Sequence, residues 1–309
     1  MQSKTLRIGT RGSLLALAQA HEVRDRLRAA HGWPADAIEV VVFQTTGDRI
    51  QDRPLSEAGG KGLFTKEIEA ALIDGRIDLA VHSMKDMATA LPDGLTIAAV
   101  LPREDVRDAF VSLAAGSLAD LAPGARLGTS SLRRAAQVRH RRPDLTIVPF
   151  RGNVDTRLKK LGDKVADATL LACAGLKRLG LSHRITAAIP VEEMLPAVAQ
   201  GAIGVEIRSA DTTTRARVGP LDDAASHLAI AAERAFLARL EGSCRTPIAG
   251  LARLMDGQIV FDGQILTPDG CRSHSVHRRG RPERALDLAT GAADELLAQA
   301  GPDFFQETP

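Results

Sequence analysis

The chain of 309 residues is long enough for two or three domains, and its 44% hydrophobic and 25% charged residues are typical of a folded globular protein. Aromatic residues make up only 3%, with no Tyr and one Trp, which argues against an aromatic platform for nucleic-acid bases and against the Tyr/Trp belt of a membrane protein. A formal net charge of +2 is too small to indicate a general polyanion partner.

The predicted elements alternate between short runs rich in Val, Ile and Leu and segments of helical period, a pattern typical of α/β layers. Strands are predicted at 6–9, 38–44, 78–82, 95–101, 145–150, 169–173 and 203–207. Helices are predicted at 14–30, 63–74, 132–141, 155–161 and 197–201. After Pro220 a helix over 221–240, strands at 248–254, 258–266 and 272–277, and a helix over 284–300 predict a separate small α+β domain.

An internal repeat indicates that the α/β part is duplicated. The segment RIGTRGSL at 7–14 is followed by Ala-Gln, and RLGTSSL at 126–132 is followed by the same pair. Each copy predicts a strand, a Gly-Thr turn and a hydroxyl-rich helix start, whose free backbone N–H groups suit anions. We therefore expect two similar domains that each offer an anion-binding strand end to a shared cleft.

The densest basic stretch covers residues 126–157, with eight arginines against two aspartates and a local charge of +6. Arginine also outnumbers lysine by 32 to 8 in the whole chain, which a GC-rich genome or carboxylate recognition would explain. We interpret Arg139, Arg141 and Arg142 as a solvated face. Arginines at strand ends and helix starts are instead interpreted as ligand-binding, and they are Arg133, Arg134, Arg151 and Arg157. Without a nucleic-acid motif beside them, a small molecule with several carboxylates or phosphates is the better partner.

A second group of polar residues follows the strand predicted at 78–82. That strand delivers His82, Ser83, Lys85 and Asp86 to its carboxyl end, where a carboxylate beside an ammonium can hold a cationic group or move a proton. A surface ion pair between Lys85 and Asp86 is the alternative interpretation. The glycine-rich segment 59–64 precedes a helix and is interpreted as a mobile loop. It has neither the spacing nor the Ser/Thr of a phosphate-binding Walker loop.

Three cysteines without a CxxC spacing do not form a disulfide framework, which favours a reducing compartment. The first residues lack an apolar signal core and no stretch approaches the ~20 apolar residues of a membrane span, so we expect a cytoplasmic protein. Cys173 lies in an apolar run and is interpreted as inert core, and Cys271 has no assigned role. Cys244 lies in a Gly-Ser-Cys-Arg turn where Arg245 favours the thiolate, so it is a candidate reactive thiol.

Taken together, eight segments resemble the porphobilinogen deaminase family in order and approximate spacing. They cover nearly the whole chain and read RIGTRGSLLALAQA, GGKGLFTKEIE, DLAVHSMKD, LGTSSLRRAAQ, FRGNVDTRLKKL, LACAGLKRLG, LPAVAQGAIGVEIR and LEGSCRTPIAG.

The resemblance implies an α/β fold with two domains like those of type II periplasmic binding proteins around a cleft, plus a small C-terminal α+β domain. The implied boundaries are 1–101 with 202–219, then 107–195, then 222–309. The implied enzyme is a transferase of haem biosynthesis that joins four porphobilinogen molecules head to tail into hydroxymethylbilane and releases ammonia at each addition. Its chain grows on a dipyrromethane cofactor linked by a thioether to a cysteine matching Cys244.

The resemblance also assigns the site residues. Asp86 matches the catalytic aspartate, which would accept pyrrole N–H bonds and stabilise positive charge near nitrogen. Phe64 would stack on a pyrrole ring. The carboxylates of the cofactor and the growing chain would be bound by basic and polar groups, namely Arg11, Ser13, Ser83, Lys85, Thr129, Ser131, Arg133, Arg134, Arg151, Asn153, Arg157, Arg178 and Gln200. No metal, nucleic acid or membrane is implied, and the family favours a monomer with porphobilinogen and linear oligopyrroles as its partners.

Three positions depart from the family pattern: Ser243 and Ala199 replace glycines, and Ala88 replaces a proline. They concern loop geometry and remove no reacting group. The competing interpretation is a non-catalytic anion-binding or regulatory protein of the same two-domain fold, which leaves the third domain and Cys244 without a purpose.

Overall fold

The computed structural model describes residues 5–49, 63–241, 246–301 and 304. The chain divides into two units, residues 1–104 with 201–227 and residues 105–200 with 228–309. The elements up to the first crossing between units are β1 (Leu6–Arg11), α1 (Leu14–His31), β2 (Ile38–Phe43), α2 (Thr46–Arg49), α3 (Lys66–Ile73), β3 (Leu79–Ser83) and β4 (Leu95–Val100).

The second unit then begins, and the chain later returns to the first. The elements between residues 105 and 200 are β5 (Asp108–Ser112), β6 (Arg126–Gly128), α4 (Leu132–Arg141), β7 (Thr146–Val148), α5 (Val154–Gly162), β8 (Ala168–Ala172), α6 (Cys173–Arg178) and β9 (Ala187–Ala188). Those that follow are β10 (Ile203–Arg208), α7 (Thr212–Val218), α8 (Ala224–Arg239), β11 (Ile248–Met255), β12 (Gln258–Leu266), β13 (Ser273–Gly280) and α9 (Ala285–Ala300).

The first unit contains a five-stranded sheet in the order β2-β1-β3-β10-β4. Strands β2, β1 and β3 are parallel, and β10 runs antiparallel to both of its neighbours. Apolar side chains from both sheet faces pack against α1 and α3, and Leu27 and Ile68 are fully buried there. The sheet therefore forms a rigid support whose parallel strands all end at the same edge.

The second unit repeats this sheet, with the order β7-β6-β8-β5-β9 and the same pattern of parallel and antiparallel neighbours. In each copy a strand leads through Gly-Thr into a helix capped by serine, Ser13 for α1 and Ser131 for α4. The prediction of two similar α/β domains from the internal repeat is confirmed.

The C-terminal part contains the antiparallel sheet β11-β12-β13. The rings of Phe236 on α8 and Phe261 on β12 pack with their centroids 4.9 Å apart, and both side chains are fully buried. Gly263 makes room for them, because a Cβ there would lie 2.8 Å from Phe236. Among the described residues, no helix is long and apolar enough to cross a bilayer.

Two secondary-structure predictions are wrong. Residues 197–201 form a turn instead of a helix, because Ala199 has a φ of 61° and its N–H donates 2.6 Å to the buried carboxylate of Glu233. Cys173 is the first residue of α6 and not part of a strand. The division of residues 105–309 into domains at 195 and 222 stays a prediction.

Candidate active site

Three of the residues named from the sequence meet at the ends of β1 and β3 in the first unit. Arg11 ends β1, and its Nη1 lies 3.7 Å from Oδ2 of Asp86, in the short 3-10 turn Met84–Asp86 that follows β3. The Arg11 guanidinium also lies over the ring of Phe64, with 4.1 Å between Cζ and the centroid. Since the side chains of Arg11 and Asp86 are 22% and 35% exposed, a ligand can reach this cation and this carboxylate.

The same two strand ends position neighbouring polar groups. Ser13 follows β1 and caps α1, where its Oγ accepts a hydrogen bond from Ala16 N at 3.3 Å. Ser83 is the last residue of β3, and Lys85 lies in the turn with Asp86. Parallel strands end at a common edge, which is why residues separated by about 70 positions lie together here.

In the second unit, Arg133 and Arg134 share a carboxylate that the sequence analysis did not single out. Asp108 begins β5 and is fully buried; its Oδ2 lies 2.8 Å from Arg133 Nη2 and its Oδ1 lies 2.7 Å from Arg134 Nη2. Gln200 Nε2 donates to the same Oδ1 at 3.0 Å. The two arginines at the start of α4 are therefore fixed before any ligand binds.

The position of Asp108 sets its protonation. Burial alone would raise the pKa of this carboxyl, but the charges of Arg133 and Arg134, with hydrogen bonds from Arg134 and Gln200, hold the pKa below its usual range. Two guanidiniums face one carboxylate, so the cluster keeps an excess of positive charge. That excess suits an anionic ligand at the start of α4, where the free N–H groups of a helix also favour anions.

Other predicted residues lie at helix starts of the second unit. Ser131 caps α4 by accepting from Arg134 N at 3.4 Å, and Thr129 Oγ1 accepts from Ser131 N at 3.2 Å. Asn153 caps α5 by accepting from Thr156 N at 2.9 Å. These hydroxyl and amide groups shape the helix starts as well as offering donors.

The remaining arginines differ in how they are held. Arg157 Nε donates to Gly152 O at 2.9 Å, and Arg178 ends α6. Arg151 is different, since its Nη1 is buried and has no hydrogen-bond partner within the described ranges. A buried guanidinium N–H without a partner is costly unless some group accepts from it, so this atom suits a carboxylate ligand.

The prediction that Arg139, Arg141 and Arg142 form a solvated face is wrong in part. Arg139 Nη1 donates to Pro268 O at 2.8 Å, and Arg141 Nη2 donates to Glu192 O at 3.0 Å. Arg142 pairs with Asp144 at 2.7 Å and donates to three carbonyl groups. These side chains hold neighbouring segments of the second unit together.

The two cysteines in the described part of the chain differ in burial. Cys173 is buried, and burial raises the pKa of its thiol to about 11, which makes it inert as expected. Cys271 is exposed. Cys244, Ser243 and the segment 50–62, which includes most of the glycine-rich loop, lie outside the described residues.

Asp108 was missed because a single aspartate at the start of the short run 108–112 carries no pattern of its own. The sequence offers one indication, which is an acidic residue directly before an apolar run. An aspartate at the start of a buried strand is itself buried, and a buried carboxylate needs a charged partner. His82, which the sequence places with the polar groups at the strand end, is instead buried and hydrogen-bonded to Glu206. This pairing was missed because a strand period does not show which residues face each other across a sheet.

Two repeated α/β domains with cationic groups at their strand ends, followed by a small antiparallel C-terminal sheet, define the class as an α/β protein of duplicated domains. Comparison with known proteins then gives the particular family. The family model "porphobilinogen deaminase, dipyromethane cofactor binding domain" matches residues 6–216, and the model of the C-terminal domain of porphobilinogen deaminase matches residues 227–298. The chain belongs to the porphobilinogen deaminase family.

A curated relative agrees over almost the full length. The porphobilinogen deaminase of Paracoccus denitrificans is 58% identical over 300 residues, which cover 97% of this chain and 96% of that protein. Among solved structures, a periplasmic substrate-binding protein of an ABC transporter from Coxiella burnetii is similar at 15% identity and a TM-score of 0.44, over 72% of this chain and 94% of that one. A methionine-binding lipoprotein from Bacillus subtilis is similar at 13% identity and a TM-score of 0.44, over 72% and 90%.

Family membership confirms the activity, the cofactor and the fold that the resemblance implied. The chain is a transferase of tetrapyrrole biosynthesis that uses a dipyrromethane cofactor to join porphobilinogen units into hydroxymethylbilane. The non-catalytic alternative is not favoured. The second unit fits such a cofactor, because the unpartnered Nη1 of Arg151 and the excess charge around Asp108 match a group that bears several carboxylates.

Proposed function

We propose that Asp86 is the catalytic residue of porphobilinogen condensation in this chain and that Arg11 and Phe64 orient the substrate beside it. The observation that carries this assignment is the meeting of the three side chains at the ends of β1 and β3, with 3.7 Å between Arg11 Nη1 and Asp86 Oδ2. Porphobilinogen has a flat pyrrole ring, two carboxylates and an aminomethyl group. A ring face, a guanidinium and a carboxylate are the complementary groups.

Asp86 acts on charge that develops during the reaction. Loss of ammonia from the substrate and attack by a pyrrole carbon both place positive charge near a pyrrole nitrogen. The Asp86 carboxylate accepts the pyrrole N–H and stabilises that charge, and the substrate carboxylates bind to Arg11 instead of competing for Asp86. The same carboxylate serves as the base or acid for the proton that leaves the pyrrole carbon or joins the amine.

The cofactor is assigned to the second unit and to Cys244. When bound, the dipyrromethane supplies the free pyrrole carbon to which substrate units are joined. Its carboxylates would be held by arginines and polar groups of strand ends and helix starts, which are Thr129, Ser131, Arg133, Arg134, Arg151, Asn153, Arg157, Arg178 and Gln200. Ser13, Ser83 and Lys85 would bind substrate carboxylates beside Arg11. We further propose a monomeric cytoplasmic enzyme whose partners are porphobilinogen and linear oligopyrroles, without nucleic acid, membrane or metal.

Replacing Arg151 with Gln tests this assignment of the second unit. We expect kcat/KM for porphobilinogen to fall about 10–100-fold, because a charge-assisted hydrogen bond to a carboxylate contributes roughly 1.5–3 kcal/mol. Steady-state consumption of porphobilinogen by cofactor-loaded protein measures the effect. Arg139→Gln is the matched control, since Arg139 donates to Pro268 O and is assigned no ligand. Equal losses in the two variants would show that the basic stretch has been divided incorrectly.

A further inference from the structure

A polar cluster is buried inside the first unit, directly before the turn that carries Asp86. The side chains of His82 on β3 and Glu206 on β10 are 4% and 0% exposed, and His82 Nε2 lies 2.9 Å from Glu206 Oε2. Across the antiparallel pair, His82 is opposite Gly204 and Glu206 is opposite Ala80. The two side chains are therefore diagonal neighbours on one face of the sheet, and their hydrogen bond ties β3 to β10.

Glu69 on α3 is the third member of the cluster, and its side chain is also buried. Burial raises the pKa of the Glu69 carboxyl, and the nearby charge of Glu206 raises it further while His82 opposes the change. A raised pKa favours the neutral form of Glu69, which limits the negative charge in this dry region. The helix that carries Glu69 begins at Lys66, two residues after Phe64.

Neighbouring packing connects the cluster to the Asp86 turn. Met84, the first residue of that turn, fills the space beside Gly204, where a Cβ would lie 2.0 Å from the Met84 sulfur. Met84 N also donates to Ala202 O at 3.0 Å, next to the start of β10. The turn therefore rests on β10 within two residues of the hydrogen bond between His82 and Glu206.

The Glu206 carboxyl depends on the His82 imidazole for hydrogen bonding. Glu206 Oε1 is buried and has no hydrogen-bond partner in the part of the chain that the structure describes. The hydrogen bond to His82 is thus the contact that satisfies this carboxyl, and its removal would free the Glu206 side chain to move. Leaving a buried acceptor unsatisfied costs more than the hydrogen bond itself contributes.

We propose that His82 is a positioning residue for the condensation reaction. Its hydrogen bond to Glu206 fixes the end of β3 against β10, and thereby holds Asp86 at the distance from Arg11 and Phe64 that the reaction needs. This inference rests on the catalytic role proposed for Asp86. His82 itself touches no reacting atom and transfers no proton.

The test compares three variants as cofactor-loaded protein, with kcat, KM and the midpoint of thermal unfolding measured for each. His82→Leu removes the donor, and we expect kcat to fall about 10²-fold with KM changed far less, because small displacements of a reacting group cost this much. His82→Gln places an amide N–H near the position of Nε2, and we expect it to restore kcat to within about fivefold of the original chain. The double variant His82→Leu with Glu206→Leu removes the buried carboxylate, and we expect recovery of the midpoint without recovery of kcat.

His31→Leu is the matched control in the same unit. His31 Nε2 bonds Arg217 O at 2.7 Å and its ring stacks on Trp33, at the end of α1 opposite to Ser13. We expect a lower midpoint with unchanged kcat. A purely structural role for His82 would produce this same pattern in His82→Leu.

Several results would overturn the inference. One is a kcat within about threefold of that of the original chain in His82→Leu or in the double variant. Another is an equal loss of kcat in His82→Gln and in His82→Leu. If His82→Leu does not fold, the kcat values of His82→Gln and of the double variant still test the inference. Turnover that survives Asp86→Asn would instead contradict the role of Asp86, so failure of the two proposals can be told apart.

Discussion

Asp86→Asn is expected to lower the rate of porphobilinogen consumption by about 10³-fold, because removal of one preorganised electrostatic group from a site costs 10²–10³-fold and loss of a base or acid adds to that. The amide has the same shape and still accepts a hydrogen bond, but it lacks the charge that stabilises a positive pyrrole nitrogen. The Arg11 guanidinium, 3.7 Å away, would then face an uncharged amide and repel the developing charge. Asp86→Ala should be at least as severe.

The fold should tolerate this change, since the Asp86 side chain is 35% exposed. The measurement is single-turnover consumption of porphobilinogen by protein whose far-ultraviolet circular dichroism and unfolding midpoint match the original chain. Asp93→Asn is the control, because Asp93 is an exposed aspartate of the same unit, in the loop before β4. Turnover within tenfold of the original in Asp86→Asn would remove Asp86 from the catalytic role.

Asp108→Asn is expected to have the largest effect on stability. Its carboxylate is fully buried and faces Arg133 and Arg134 at 2.8 and 2.7 Å, so its loss leaves two buried guanidiniums without a counter-charge. Removal of one partner from a buried ion pair costs about 3–5 kcal/mol. This loss is measured as the decrease in the free energy of unfolding in urea. Asp144→Asn, which breaks an exposed pair with Arg142, should shift the midpoint far less; equal shifts would contradict a central role for Asp108.

The Asp108 carboxylate also makes the stability of the fold depend on pH. The pKa of Asp108 is lower in the folded protein than in the unfolded chain, so its contribution is present above the ordinary aspartate range, at about pH 4, and is lost as the pH falls through the folded-state value. Asp105 contributes in the same direction, because its hydrogen bond from Arg107 lowers its pKa despite partial burial. Unfolding measured between about pH 6 and pH 3 should therefore show declining stability, and Asp108→Asn should flatten that decline.

Residue patterns in the sequence were sufficient to predict the structure where local periodicity determines it. The strand–Gly-Thr–helix repeat predicted the two copies of the sheet, and α1 begins at Leu14 as its serine cap indicates. The strand end that carries Ser83, Lys85 and Asp86 was placed correctly for the same reason. A short apolar run followed by polar residues specifies where a strand ends without reference to its neighbours.

Other features depend on contacts between distant segments. The run 108–112 forms β5, which lies between β8 and β9 although it precedes both in the chain, and no local pattern encodes such pairing. The segment 197–201 is rich in alanine and therefore favours a helix, but Glu233 accepts from Ala199 N and holds the turn. Its φ of 61° is a conformation that glycine adopts more easily than alanine. The charge partner of Arg133 and Arg134 likewise became visible only in three dimensions.

The intact mass of the purified protein tests the central claim most directly. If the dipyrromethane cofactor is carried on Cys244, the mass exceeds that of the 309-residue chain by two porphobilinogen units less two molecules of ammonia, because the thiol adds to the first unit as each unit loses its amine. Cys244→Ser should have the unmodified mass, while Cys271→Ser, which alters the exposed thiol, should keep the increment. An unmodified original chain, or an increment that survives Cys244→Ser, would contradict the account.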